Sequence, residues 1–276
     1  MLLHEENKIE IGENYWLRAD PVYLRIENNH ILLGDSHILN ISLKEANSLA
    51  DSINKLLSDD GAALLPLHPN RWYLKCNEIP DLKTFLLSEA AGKNINNLLP
   101  QGKNSRSWNS RINEIQMIFY EHPINQAREM RGELPINSLW VWGGGVRPAK
   151  IHSTYDSVWG NNLFTRALAE AGGGMHHPLP KDADALLNHS SNVGRQLIVL
   201  DDLQKYAQYR DAYSWRNELV NLEKNWFLPL LQALRKKKIR QLKLTAVNEN
   251  ATRDFVVTPG DFWKFWASVH PLSVYS

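Results

Sequence analysis

Hydrophobic and polar residues alternate along the first part of the chain in the pattern of β-strands. Residues 15–26 and 31–34 predict two strands joined by a short asparagine-containing turn. Residues 62–67 and Arg71–Cys76 predict a second pair, joined by a turn that contains proline and asparagine. The N-terminal part is therefore expected to contain antiparallel strands.

Two segments between and after these strands have helical periodicity. Ser42 and Glu45 have the spacing of a capping box, in which each side chain accepts a hydrogen bond from a free amide of the first turn. Apolar residues recur at helical spacing through residues 43–56 and again through residues 108–119. We therefore predict two amphipathic helices and a mixed α+β arrangement for residues 1–136.

The pattern changes after residue 136, where short apolar strands alternate with helical segments. The helix over 215–234 is expected to bend near Pro229, which cannot donate a backbone hydrogen bond. Strands that alternate with helices indicate βαβ units and a largely parallel sheet. We therefore predict an α/β fold, with a three-layer α/β part over residues 137–276. Its predicted elements are strands at 138–142, 197–200 and Leu242–Val247 and helices at 162–171 and 215–234.

The composition indicates an ordinary globular protein, but it does not indicate a particular function. The 276 residues are 43% hydrophobic and 22% charged, with a net charge of +1, so no overall field favours nucleic acid or membrane binding. Cys76 is the single cysteine, which excludes a disulfide within one chain and suits a reducing compartment. We find no signal peptide in residues 1–14 and no apolar run long enough for a membrane span, and predict a cytoplasmic protein.

The densest candidate chemistry lies in residues 122–148. His122, Asn125 and Arg128 share a helix or turn, and a strand then leads to a glycine run, residues 143–145, with Arg147 just beyond. Glycines after a strand let backbone amides approach an anion, and guanidinium groups complement phosphate or carboxylate. The alternative is a tight connection with solvated arginines. The segment is neither a Walker loop nor a dinucleotide-binding fingerprint.

The same segment resembles the archaeal-type cofactor-independent phosphoglycerate mutases of the alkaline phosphatase superfamily. It matches their His-Pro-x-Asn-x-x-Arg stretch at residues 122–128, their Pro-x-Asn step at 135–137 and their Trp-Gly-x-Gly loop at 142–145. Weaker similarity extends over residues 15–260, including a strand that contains Arg18. The resemblance implies binding of a phosphorylated or carboxylated small molecule. We therefore select as anion-binding candidates Arg18, Arg71, His122, Asn125, Arg128, Trp142, Gly143, Gly144, Gly145 and Arg147.

The chain departs from this family at the positions that carry its chemistry. In the family, the nucleophilic serine lies in a segment before the part that corresponds to residue 15, and this sequence has almost nothing there. The family also has an aspartate followed by a distant histidine, whereas no histidine follows Asp201-Asp202 within residues 204–214. Asn248-Glu249 stands where the family has an Asp-His pair. Two-metal phosphoryl transfer needs both the metals and the nucleophile. We therefore expect a non-catalytic protein without a cofactor, possessing neither catalytic residues nor a complete metal site.

A second resemblance is to bacterial regulatory proteins of the Rpf cluster. It is carried by the sequences WLRADPV at residues 16–22 and RWYL at 71–74, together with the segment over 122–145. This resemblance implies a regulatory role and a protein partner, without naming a mechanism.

Several other interpretations stay open. Asp201, Asp202 and Glu249 could form a reduced Mg²⁺ or Mn²⁺ site of a phosphomonoesterase, although helix capping and solvated turns explain the same residues. The adjacent histidines His176-His177 lack the spacing of a known metal motif. Ten tryptophans suit either a core or a protein interface. The basic run at 235–240 fits a solvated helix end, so we do not expect nucleic acid as a partner.

Overall fold

A computed structural model describes residues 9, 11–28, 30–58, 61–147, 151–189, 194–247 and 251–264. The chain forms two compact units. Unit 1 comprises Met1–Ser153, Asn162–Gly174 and Ala207–Arg210, and unit 2 comprises Thr154–Asn161, Met175–Tyr206 and Asp211–Ser276.

Unit 1 contains one antiparallel sheet and the helices that pack against it. Its strands are β1 (Tyr15–Glu27), β2 (His30–Gly34), β3 (Ala63–His68), β4 (Arg71–Cys76) and β5 (Ser138–Gly145). Its helices are α1 (Ser36–Leu39), α2 (Leu43–Leu57), α3 (Leu87–Ala90), α4 (Ser105–Glu121), α5 (Pro123–Met130) and α6 (Leu163–Ala171).

The long strand β1 holds this sheet together because it pairs with three others. Its C-terminal part pairs with β2, its N-terminal part pairs with β4, and β5 runs along most of its length. The strand order is β2-β1-β4-β3, with β5 also on β1. Because β5 pairs with β1, the strand after residue 136 belongs to unit 1. The predicted division into the parts 1–136 and 137–276 stays a prediction.

Helix α2 begins as the sequence predicts. The Glu45 amide donates to the Ser42 hydroxyl at 3.3 Å, and the Ser42 amide donates to the Glu45 carboxylate at 2.9 Å. The helix buries one apolar stripe against the sheet, and each large apolar side chain buried there contributes about 1.5–3 kcal/mol. The buried residues of the stripe are Ala46, Leu49, Ala50, Ile53 and Leu57.

Strand alternation gives the sheet two different faces. On β1, Leu17 and Ala19 point into the main core of unit 1, where helices α2 and α4 contribute apolar side chains such as Leu49 and Phe119. Arg18 lies between them in sequence and therefore points to the opposite side, which we call the Arg18 face. The largest apolar cluster thus lies on one side of the sheet and the buried arginine on the other.

Unit 2 is built around a short parallel sheet in the order β7-β6-β8. Its strands are β6 (Ser157–Trp159), β7 (Met175–His177), β8 (Gln196–Ile198), and the separate antiparallel pair β9 (Leu242–Val247) and β10 (Thr252–Val257). Its helical segments are α7 (Ala183–Leu187), α8 (Asp202–Gln208, which continues into the last segment of unit 1), α9 (Ala212–Leu222), a π-helical turn (Glu223–Phe227), α10 (Leu228–Arg235) and a 3-10 helix (Pro259–Trp263).

The predicted irregularity near Pro229 is a π-helical turn between α9 and α10. The amide of Leu228 donates to the carbonyl of Glu223, five residues earlier, so the helix widens just before the proline. The turn places Trp226 in the apolar core of unit 2 beside Leu222 and Leu230.

The coarse prediction of the fold class is confirmed, because the described residues combine an antiparallel sheet, a parallel sheet and surrounding helices. The three-layer arrangement and the link to the alkaline phosphatase superfamily stay predictions. None of the helices within the described ranges combines the length and the apolar character that a bilayer crossing requires.

Candidate functional site

The glycine run lies within strand β5, whereas the sequence predicted a loop after residue 142. Trp16 and Arg18 on β1 pair with Gly145 and Trp142 on β5, so β5 has one residue more than β1 at this point. This extra residue makes a β-bulge, and Gly143 supplies the left-handed backbone with a φ of 63°. The glycines therefore continue the sheet and bend its edge.

Gly144 has a packing role in this bulge. A Cβ atom at Gly144 would overlap the hydroxyl of Tyr15 and a methyl group of Leu17, whereas a Cβ at Gly145 would meet nothing within 4 Å. Gly143 and Gly144 are nevertheless exposed to solvent. The lack of a side chain at residue 144 thus lets Tyr15 and Leu17 pack directly against the strand.

Arg18 forms a buried ion pair with Asp20 on the same strand. Nε and Nη2 of Arg18 donate to Oδ1 of Asp20 at 3.1 and 2.5 Å. The side chains are only 9% and 1% exposed. Two further donors reach the carboxylate, because the Trp142 indole donates to Oδ2 at 2.7 Å and the Trp72 amide donates to Oδ1 at 3.2 Å. Burial raises the pKa of Asp20, and these four donors oppose the rise.

Aromatic rings enclose the same guanidinium group. Its central carbon lies 5.0 Å from the ring centroid of Tyr73 and 5.3 Å from that of Trp142, within the range of cation–π attraction. We call Arg18, Asp20, Tyr73 and Trp142 the Arg18 cluster. Because two hydrogen bonds and two rings hold the guanidinium, its orientation is fixed before any ligand binds.

The Arg18 cluster is bordered by further cations. Arg71 and Lys75 alternate with Tyr73 on β4 and are both half-buried, so they lie on the Arg18 face. Among the described residues, no hydrogen-bond acceptor contacts Nη1 of Arg18. This face therefore combines a pre-oriented guanidinium edge with two neighbouring positive charges, an arrangement that suits a phosphate or a carboxylate.

His122 and Asn125 have structural roles at the start of α5. Nδ1 of His122 accepts a hydrogen bond from the Ile124 amide at 3.2 Å and caps the helix, while Nε2 lies 3.1 Å from the Ser52 hydroxyl. Burial lowers the pKa of His122. The Asn125 amide group donates to the carbonyls of Phe119 and Ile136 and accepts from the Ile136 amide, at distances of 2.7–2.8 Å.

Arg128 is enclosed within the protein, with 1% of its side chain exposed. Nε donates to the Leu134 carbonyl at 2.8 Å, and Nη2 donates to the Leu39 carbonyl. Nη1 lies 3.3 Å from the Glu45 carboxylate, which also pairs with Arg131 at 2.9 Å. These bonds join α5 to the segments that precede α2 and β5.

The structure thus divides the predicted constellation into two groups. Ile124 of α5 packs on the core that contains Leu17, so His122, Asn125 and Arg128 belong to the helix-covered side of the sheet. Arg18 points to the other side, together with Arg71 and Trp142. Arg147 is exposed beyond the end of β5. The sequence analysis did not select Asp20 or Tyr73. The Arg-x-Asp spacing on a strand nevertheless predicts that the side chains of Arg18 and Asp20 lie on the same face of the sheet.

The carboxylates of the alternative metal site are only partly described. Asp201 is half-buried before α8, Asp202 is exposed in its first turn, and Glu249 lies outside the described residues. Within the described ranges, no three His, Cys, Asp or Glu side chains come together as ligands for a metal ion. Cys76 is buried, and its burial raises the pKa of the thiol to about 11, which disfavours a reactive thiolate.

Comparisons with known proteins relate the chain to phosphoglycerate mutases. It is similar to the 2,3-bisphosphoglycerate-independent phosphoglycerate mutase of Methanosarcina mazei, with 29% identity over 137 residues, and to that of Methanosarcina acetivorans, with 28% identity over 153 residues. A probable enzyme of the same description from Geobacter sulfurreducens is 24% identical over 155 residues. No family model matches the chain.

The similarity covers only part of each protein. The matches include 48–53% of this chain and 34–38% of the relatives, so the chain spans little more than a third of their length. Among solved structures, the cofactor-independent phosphoglycerate mutase of Thermoplasma acidophilum aligns with 84% of this chain and 64% of its own, at 14% identity and a TM-score of 0.39. A Pyrococcus horikoshii protein aligns with 81% of this chain and 58% of its own, at 12% identity and a TM-score of 0.41.

Proposed function

We propose that the protein binds a phosphorylated or carboxylated small molecule at the Arg18 cluster and does not itself transfer phosphoryl groups. The observation that carries the proposal is the buried Arg18 guanidinium, held by Asp20 and the rings of Tyr73 and Trp142, with its Nη1 edge left for a ligand. Similarity to enzymes named phosphoglycerate mutases supports an anionic ligand of this kind.

Pre-orientation is the physical reason why this site suits a small anion. The Asp20 carboxylate balances the charge of Arg18, so the positive charge that attracts the ligand comes from Arg71 and Lys75 at the border of the cluster. A fixed guanidinium loses little side-chain entropy when it binds, and bonds between charged groups contribute about 1.5–3 kcal/mol each. We therefore assign orientation of the ligand to Arg18 and most of the electrostatic attraction to Arg71 and Lys75.

The proposed lack of catalysis rests on the sequence departures at the metal-binding positions. Asn248-Glu249 replaces the Asp-His pair of the mutase pattern, and residues 204–214 contain no histidine. A regulatory role with a protein partner in the cytoplasm, as in the resemblance to the Rpf-cluster proteins, forms part of the same proposal.

Calorimetric titration of the full chain with 3-phosphoglycerate, glycerate and inorganic phosphate, with and without Mn²⁺, tests this proposal. We expect metal-independent binding of 3-phosphoglycerate that weakens about tenfold when Arg71→Gln or Lys75→Gln removes one cation, a loss of about 1.4 kcal/mol. Lys55→Gln is the matched control, because Lys55 is exposed on α2, on the other side of the sheet.

Each alternative outcome has a defined meaning. Binding that requires Mn²⁺ would contradict a metal-independent site and would favour the phosphomonoesterase interpretation. Binding that Lys55→Gln weakens as much as Arg71→Gln would place the ligand elsewhere. A chain that binds none of the three compounds would not be a small-anion binder of this class, and the protein-interaction interpretation would take its place.

A further inference from the structure

A group of exposed cations lies at the C-terminal end of α10 in unit 2, in a part of the chain that the anion-binding proposal does not use. The group, which we call the basic turn, consists of Arg235, Lys236, Lys237, Lys238 and Arg240. Within the described ranges, none of these five side chains pairs with a carboxylate. The partial charge at a helix C-terminus is only about −0.5, so it balances one of the five positive charges at most.

The carboxylates of the neighbouring elements are engaged with other cations. Asp254 on β10 pairs with Lys243 at 2.8 Å, and Asp261 in the 3-10 helix pairs with Lys264 at 2.5 Å. The positive charge of the basic turn is therefore concentrated at the surface of unit 2 and open to an external anion.

Lys237 has a backbone conformation that is unfavourable for lysine. Its amide donates to the Leu234 carbonyl at 3.0 Å, and the Lys238 amide donates to the Ala233 carbonyl at 2.9 Å. These two bonds end the helix as a Schellman motif, which places the residue at position 237 in the left-handed region, with a φ of 57°. Glycine is the usual residue there because it has no Cβ atom. Lys237 therefore adds a positive charge to the turn at a cost in stability.

Aromatic side chains of the 3-10 helix lie beside the basic turn. The guanidinium of Arg235 lies over the ring of Phe262, 4.8 Å from the centroid, and connects the 3-10 helix to the end of α10. The next residue, Trp263, is 80% exposed. A large apolar ring with one polar N–H is thus presented to solvent next to a group of cations.

We propose that the basic turn and Trp263 form a docking surface for a membrane that contains anionic lipids. Lysine and arginine are attracted to the negative headgroups of such lipids. Tryptophan is enriched at the boundary between lipid and water, because its ring is apolar and its N–H is polar. The overall net charge of +1 does not reveal this surface, since the positive charge is local.

A lipid surface fits the basic turn better than a nucleic acid strand does. Proteins bind single strands in a positively charged groove, where successive bases stack on several aromatic side chains. The basic turn instead projects from the end of a helix, and the adjoining 3-10 helix presents the exposed ring of Trp263. Such a projection can meet several headgroups of a flat membrane at once.

Co-sedimentation of the full chain with lipid vesicles tests the proposal. One set of vesicles is pure phosphatidylcholine, and the other is an equimolar mixture of phosphatidylcholine and phosphatidylserine. We expect binding to the mixed vesicles alone, and weaker binding at high salt because ions screen the charges. Lys236→Gln/Lys237→Gln/Lys238→Gln should bind about 100-fold more weakly, since each lysine near an anionic surface contributes about fivefold.

A matched control removes the same number of charges from unit 1. Lys44→Gln/Lys55→Gln/Lys103→Gln changes three exposed lysines and should bind the mixed vesicles as the wild-type chain does. Circular dichroism of both triple variants verifies that they are folded.

Two single substitutions distinguish the docking role from a structural one. Lys237→Gly suits the left-handed backbone, so it should keep or raise the midpoint of thermal unfolding while it lowers the vesicle affinity about fivefold. Trp263→Ala should weaken vesicle binding, whereas Tyr120→Ala, which removes an exposed ring from unit 1, should not.

Three results would overturn the proposal. The first is a wild-type chain that does not bind the mixed vesicles. The second is an equal loss of binding in the two triple variants, because any exposed lysine would then serve. The third is binding of a labelled oligothymidine strand through the basic turn in a chain that does not bind vesicles, which would assign the surface to nucleic acid.

Discussion

The indole nitrogen of Trp142 donates a 2.7 Å hydrogen bond to Oδ2 of Asp20, although the two residues lie 122 positions apart in the chain. The bond connects β5 to β1 through side chains, in addition to the backbone ladder between the strands. It also holds Trp142 next to the Arg18 guanidinium. The partner that neutralises Arg18 and one of the rings that enclose it are therefore fixed by the same contact.

Trp142→Phe should destabilise the protein by about 1–3 kcal/mol, because it removes a donor from a carboxylate that is almost completely buried. Urea unfolding followed by circular dichroism measures the free energy of unfolding. Trp108→Phe is the control, since Trp108 is half-buried against the main core and its indole makes no hydrogen bond within the described residues. A loss in Trp142→Phe no larger than that in Trp108→Phe would contradict the role of this bond.

Asn125→Leu should cost about 2–5 kcal/mol of unfolding free energy. The substitution keeps the approximate volume but leaves the amide and the carbonyl of Ile136 without their Asn125 partner, and each unsatisfied buried group costs about 1–3 kcal/mol. The Phe119 carbonyl keeps the hydrogen bond that it accepts from the His122 amide at 3.2 Å. The neighbouring Gln126→Ala should change the same free energy by less than about 0.5 kcal/mol, because Gln126 is exposed. Similar losses in the two variants would show that Asn125 does not hold α5 to β5.

Gly144→Ala and Gly145→Ala differ by one position and should have different effects on the free energy of unfolding. The alanine at 144 overlaps Tyr15 and Leu17 and should destabilise by about 1–3 kcal/mol. The alanine at 145 enters open space and should be neutral or stabilise by about 0.4–1 kcal/mol. If chemical denaturation gives both variants the same stability, the close packing at Gly144 is not what requires a glycine there.

Stability should fall on acidification in a way that depends on His122. Burial lowers the pKa of His122 in the folded state, so the unfolded chain binds a proton more readily than the folded chain. The stabilisation is present above the unfolded pKa of about 6.5 and is lost as the pH falls below it towards the folded pKa. His122→Asn retains a capping side chain and does not titrate.

The free energy of unfolding, measured from pH 7.5 to 5, should therefore decrease more steeply in the wild-type chain than in His122→Asn. The other histidines are common to both chains and cancel in the comparison. Equal slopes would mean that the pKa of His122 does not change on folding.

Local features of this fold could be predicted from the sequence because their causes are local. The Ser42–Glu45 capping box and the β3–β4 hairpin depend on residues a few positions apart, and both form as predicted. The glycine run was wrongly assigned to a loop because the strand that pairs with it, β1, begins more than 120 residues earlier. A bulge becomes recognisable only when the number of residues on both strands is known.

The candidate site shows the same limit at the level of side chains. Arg18, Arg128 and His122 all stand in segments that suggest anion binding, yet the sheet lies between Arg18 and the other two. Strand alternation alone predicts that Arg18 and Asp20 share a face. Which helix covers which face depends on long-range packing, and that packing turned His122, Asn125 and Arg128 into internal hydrogen-bond partners.

The position of β1 in the sheet has a consequence for the synthesis of the chain. β5 leaves the ribosome roughly 120 residues after its partner β1, which corresponds to about 6–24 s at ordinary rates of translation. Throughout that interval the part of β1 from Trp16 to Val22 lacks the strand that pairs with it along one edge, and its alternate apolar residues remain without their full cover. A nascent chain that stalls before residue 138 would expose unpaired backbone N–H and C=O groups, which can pair with strands of other chains. Such a chain would depend on chaperones to prevent aggregation until β5 emerges.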